Sequence, residues 1–155
     1  MLPTAMPANM LPNTVERVPR HTANDVNAQI HRQTAENVAR YGSRGDDTIE
    51  QRLHQLDEEW DIERTLEANA ATVALVGLGL GIFVNRRFLA VPALVAGFLL
   101  QHSLQGWCPP LPFFRRRGIR TQPEIEQERY ALKAVRGDFE QAASAPSLAT
   151  AAARR

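Results

Sequence analysis

The 155-residue sequence has one cysteine, Cys108, and one lysine, Lys133, against 17 arginines. A single cysteine excludes an internal disulfide and any zinc site with two or more thiolate ligands. The arginines are scattered, so their excess over lysine reads as genome composition and not as recognition chemistry. The larger absence is of charge. No Asp, Glu, Lys or Arg occurs from Ala68 to Asn85 or from Phe88 to Phe114, and only Arg86 and Arg87 interrupt these 47 residues. A water-soluble helical domain rarely leaves such a stretch uncharged, which argues for a membrane hairpin and against a simple soluble enzyme. A net charge of +1 hides the contrast, because residues 1–67 carry 7 Arg against 12 acids and residues 115–139 carry 7 basic against 4 acidic side chains. Met1–Pro7 has no basic start followed by an apolar run, so no secretory signal peptide is expected.

Along the chain, residues 1–45 read as a disordered, proline-rich lead-in followed by a short marginal helix over Thr22–Tyr41, carrying Val26, Ile30, Val38 and Tyr41. Residues 46–67 read as an amphipathic helix leading into the membrane. Asp46 and Asp47 suit its N-cap, and Ile49, Leu53, Leu56 and Trp60 make one seam. Nothing in the pattern breaks this helix before Glu67. The acidic cluster Asp57, Glu58, Glu59, Asp61 and Glu63 reads as a solvated face in preference to a metal site, because neighbouring carboxylates point in different directions around a helix.

Residues 68–107 then read as a transmembrane helical hairpin with its turn at 85–87. Ala68–Val84 spans about 25 Å at helical rise, slightly short of a hydrocarbon core of about 30 Å. Gly77 and Gly81 on the first helix, with Ala93 and Gly97 on the second, offer small faces for helix–helix packing. Trp107 suits a headgroup-level anchor. Residues 108–139 hold a Pro-rich break, a basic run and an amphipathic helix between the capping-box pair Thr121/Glu124 and Gly137. Phe113-Phe114 beside Arg115, Arg116 and Arg117, with Arg120 following, is how a chain rests on anionic headgroups. Residues 140–155 read as a disordered Ala/Ser-rich tail. The expected fold is thus an all-α membrane protein, a two-helix transmembrane hairpin with amphipathic surface helices before and after it.

The stretch Ala68–Leu104 followed by Gly106-Trp107-Cys108-Pro109 resembles the YgaP-like inner-membrane domain family, in which an aromatic-Cys-Pro segment follows two short transmembrane helices. Phe114-Arg-Arg-Arg-Gly118-Ile119-Arg120-Thr121, Glu124-Ile125, Glu128–Lys133 and, upstream, Glu59–Arg64 are similar to a proteobacterial branch of it. The resemblance covers roughly residues 57–139. It departs ahead of the first helix, where Glu67-Ala-Asn69 replaces the Asn-rich start and Asp-Arg pair of many members. Some members lie behind rhodanese sulfurtransferase domains, and none is recognisable here, so the resemblance implies no sulfur-transfer activity.

The function expected is that of a small inner-membrane scaffold or accessory protein with no enzymatic activity. It would associate through its hairpin with itself or with a larger membrane complex, in contact with membrane lipids. The alternative makes Cys108 a persulfide acceptor or redox sensor, since a nearby arginine run is the setting that activates thiols. No catalytic, cofactor-binding or metal-binding residue is assigned. His102 near Cys108 suggests a Cys/His pair, but no third orienting group is recognisable in the sequence. Nucleic-acid binding is not expected, because the Arg run is short and the same segment, residues 115–139, contains four acids. Six arginines flank the hairpin (Arg52, Arg64, Arg115, Arg116, Arg117, Arg120) against two in its turn, which places both termini in the cytoplasm.

Overall fold

A computed structural model describes residues 13–140; the residues expected to form the tail beyond 140 lie outside it, as do residues 1–12 of the lead-in. Every regular element among the described residues is helical. The six α-helices are α1 (Asn24–Gly42), α2 (Asp46–Glu58), α3 (Ile62–Phe83), α4 (Ala90–Gln105), α5 (Leu111–Arg116) and α6 (Gln122–Arg136), with 3-10 turns at Pro19–His21 and Arg86–Leu89. The chain divides into two compact units, each built from two separate segments: residues up to Asn27 with Asp61–Thr121, and Ala28–Trp60 with Gln122 onward.

The first unit contains the apolar stretches. α3 starts at a true boundary: Asp61 is extended, and its carboxylate caps the helix by accepting from the Arg64 backbone N–H at 2.8 Å. This corrects the expectation of one helix running from 46 to 67, because Glu59 and Asp61 both leave the helical region. Asp61 has the side chain that satisfies an orphan donor at a new helix start, and the Ile62 N–H is taken by the Arg120 carbonyl at 2.8 Å. α3 and α4 run side by side in opposite directions. A Cβ on Gly77 would stand 2.7 Å from Val91 Cβ, and one on Gly81 would stand 2.5 Å from Leu89 Cδ2. Those two glycines therefore set the close approach of the helices. Ala93 and Gly97 do not join them: Ala93 is exposed, and a Cβ on Gly97 would meet nothing within 4 Å.

Two helical stretches, one ending at Phe83 and the other Arg86–Gln105, are long and apolar enough to cross a membrane, and only 17% and 6% of their apolar windows are buried. Beyond these windows the unit closes on a small core of Val18, Ile62, Leu66, Cys108 and Leu111. Val18 corrects the reading of a disordered lead-in for residues 13–21. Its segment forms turns and a 3-10 helix, and burying Val18 against α3 and α5 supplies the apolar contact that fixes it.

The second unit gathers the amphipathic helices. α1 is a full 19-residue helix. Ile49, Leu53 and Leu56 of α2 pack with Ile125 and Leu132 of α6, and Val38 and Tyr41 of α1 lie against them. Trp60 falls outside this seam and is exposed, since α2 has ended two residues earlier. Gly45, with φ of 92°, occupies the N-cap of α2, so Asp46 and Asp47 sit in its first turn and do not cap it. Gly137 follows α6 with φ of 87°, as its place in the sequence suggested. The acidic cluster is not merely a solvated face: Asp57 pairs with Arg129, Glu59 with Arg52, and Asp61 and Glu63 belong to the first unit.

Candidate functional site

In the first unit, the first turn of α3 meets the last turn of α4. Glu63 projects from α3 three residues before Leu66, and His102 projects from α4 three residues after Leu99, so both continue the faces along which the helices pack. His102 Nε2–H donates to Glu63 Oε2 at 2.7 Å. Arg17 Nη2 donates to Glu63 Oε1 at 2.7 Å, while its Nη1 reaches the carbonyls of Ser103 at 3.0 Å and His102 at 3.4 Å. One guanidinium thereby neutralises the carboxylate and bonds carbonyls at the C-terminus of α4. Burial pushes the Glu63 carboxyl up, but the bond from His102 and the charges of His102 and Arg17 more than reverse this, and it is held below the usual carboxylate value.

Gly106 makes this convergence sterically feasible. It ends α4 in the left-handed conformation (φ 79°), its N–H bonds the His102 carbonyl at 2.7 Å, and a Cβ there would lie 2.6 Å from the Arg17 carbonyl group. Both the backbone angle and the contact call for glycine. The chain then turns back so that Cys108, 5% exposed, comes alongside the His102 imidazole. His102 is itself 4% exposed, and its Nδ1 is buried without a hydrogen-bond partner. A cavity of about 260 Å³ adjoins Cys108 between α3 and α4, lined by apolar side chains such as Leu66, Val73 and Phe98, with Asn69 at its edge.

The basic run divides. Arg116 and Arg117 are exposed, and the Arg117 guanidinium lies 4.3 Å from the Phe113 ring centroid. Arg115 and Arg120, expected at lipid headgroups, are buried instead. Arg115 donates to Thr22 Oγ1 at 3.1 Å, Asn27 Oδ1 at 3.1 Å and the Ile119 carbonyl at 3.0 Å, so its charge ties α5 to Thr22 and to the start of α1. A six-residue helix between a proline run and Gly118 turns one arginine inward while its neighbours face out. Trp107 is half-buried.

Sequence reasoning missed Glu63, Arg17 and the role of His102. A signal was available: stepping back from Gly77 through Val73, Ala70 and Leu66 leads along one helix face to Glu63. No comparable signal marked Arg17, which is 85 residues from the carbonyl it bonds. No group of three or more potential metal ligands occurs among the described residues. Comparison with known proteins gives no matching family model, no matching curated protein and no matching solved structure.

Proposed function

We propose that this chain is a small integral protein of the bacterial inner membrane, in which α3 and α4 form a hairpin across the bilayer and both termini face the cytoplasm. It acts as a scaffold or accessory protein, holding the α1–α2–α6 unit at the membrane and associating with itself or a larger membrane complex. The observation that carries this reading is the exposure of the apolar helices. Leu75, Val76, Ile82, Phe83, Leu94 and Leu100 are all exposed on stretches without charge. Soluble monomers rarely leave an apolar surface of that extent in water, whereas lipid covers it without cost. The close approach at Gly77 and Gly81 fits the small-residue packing of lipid-embedded helices. The YgaP-like resemblance of the hairpin and its Gly-Trp-Cys-Pro sequel supports the same reading.

Sulfur transfer or redox sensing by Cys108 has weaker footing, because the thiol adjoins an apolar cavity and is shielded from water. The test of the membrane reading is alkaline carbonate extraction of membranes from cells expressing the full chain. Retention in the pellet is expected, and release into the supernatant would overturn it.

A further inference from the structure

The cavity beside Cys108 draws its walls mostly from the two uncharged stretches, α3 through Ala70 and Val73 and α4 through Val95, Phe98 and Leu99. In the hairpin reading, on which this inference rests, those walls lie at hydrocarbon depth and the cavity is filled from the lipid side. No charged side chain lines it, so it suits a methylene chain and offers nothing to an anion or a metal. Its one nucleophile is the Cys108 thiol.

Beside that thiol stands an imidazole whose far nitrogen is already committed. His102 Nε2–H is held by Glu63, which Arg17 in turn holds, and the nitrogen left over, Nδ1, is buried without a partner. The group that stands beside this imidazole is the Cys108 thiol. A thiol, an imidazole and a carboxylate that orients the imidazole are the parts that activate cysteine nucleophiles. Glu63 is the third orienting group that the sequence alone did not reveal.

We propose that Cys108 is an acyl-acceptor thiol, which takes a long-chain acyl group from an acyl thioester such as a fatty acyl-coenzyme A and lodges the chain in the apolar cavity. The thiol proton is held on His102 Nδ1 as Sγ attacks the donor carbonyl. The donor's carbonyl–sulfur bond then breaks, and the leaving thiolate takes the proton from Nδ1. One thioester forms as another is consumed, with no change of oxidation state and no further reactant. Glu63 and Arg17 act as positioning residues that fix the imidazole, and Ala70 and Val73 shape the chain site.

The test uses the full chain purified and reconstituted in phospholipid vesicles, washed with carbonate and incubated with palmitoyl-coenzyme A. The expected result is one hydroxylamine-labile palmitoyl adduct per chain by intact mass, absent in Cys108→Ala. His102→Gln keeps a donor for Glu63 but has no base, and it should slow acylation by about 100-fold. Ala70→Phe fills the cavity and should block palmitoylation while N-ethylmaleimide still labels Cys108, an outcome that a merely structural thiol would not give. A wild-type chain that stays in the washed vesicles and forms no adduct overturns this inference alone. Equal acylation of the wild type, His102→Gln and Ala70→Phe also overturns it. Release of the wild type by the wash overturns the membrane reading, and with it the basis of the inference.

Discussion

Arg52 Nε donates to Glu128 Oε1 at 2.7 Å across 76 residues of sequence, and the Glu128 carboxylate has no exposure to solvent. Asn37 Nδ2 donates to its other oxygen at 3.2 Å, and the Arg52 guanidinium lies 5.4 Å from the Tyr41 ring centroid. α1, α2 and α6 thus share one buried ion pair in addition to their apolar seam. Removing Arg52 takes one charged donor from a carboxylate shielded from solvent, so Arg52→Ala is expected to destabilise this unit by about 1.5–3 kcal/mol. The surface pair Arg136–Glu50 should contribute little, because solvent screens it. Thermal unfolding of Arg52→Ala beside Arg136→Ala checks the contrast, and equal shifts would refute it.

The glycines of α3 and α4 separate in the same way. Gly77→Leu and Gly81→Leu drive side chains into Val91 and Leu89, and a cost of about 1–3 kcal/mol or more is expected from overpacking. Gly97→Leu meets open space within the chain. It should leave the unfolding midpoint in detergent nearly unchanged and lower the dimer fraction on native gels only if the Ala93–Gly97 face meets a second copy.

Arg115→Ala should lower stability, because it removes bonds to Thr22, Asn27 and Ile119 from a buried site. Arg116→Ala should leave stability within about 0.5 kcal/mol, as for an ordinary exposed position. Denaturant titration in detergent distinguishes them; the reverse order would show that the headgroup reading of Arg115 is the better one.

Stability should also fall with pH through Glu63. Its carboxyl is held below the ordinary value in the folded protein, so its contribution is complete above the unfolded value of about 4.3 and is lost as pH falls through the lower folded value. Glu63→Gln should be less stable than the wild type at neutral pH and should show a shallower decline in acid. Parallel declines for the two proteins would remove Glu63 from the linkage.

Topology is open to a direct measurement. With six arginines flanking the hairpin and two in its turn, a reporter fused after Arg155 is expected to be active in its cytoplasmic form. Activity of a reporter that works only in the periplasm would contradict this orientation.

The sequence by itself determined the helical class, the two apolar helices and the small-residue face at Gly77 and Gly81. Each of these depends on local composition or on a helical period, which one segment carries alone. It also carried the end of α6 at Gly137, where a left-handed residue is needed, whereas α4 ends at Gly106, ahead of the proline break that the sequence marks. The break at Glu59–Asp61 was not legible, since Asp61 is a capping residue in a run of acids that all look alike. What only the tertiary structure decided is which charged side chains turn inward. Glu63 and Arg17 are separated by 46 residues, Arg115 and Thr22 by 93, and Glu128 and Asn37 by 91. A charged residue on a helix has no pattern that says whether water or a distant partner will satisfy it. That choice is made when elements from far along the chain pack together and the loss of hydration must be offset by a specific bond.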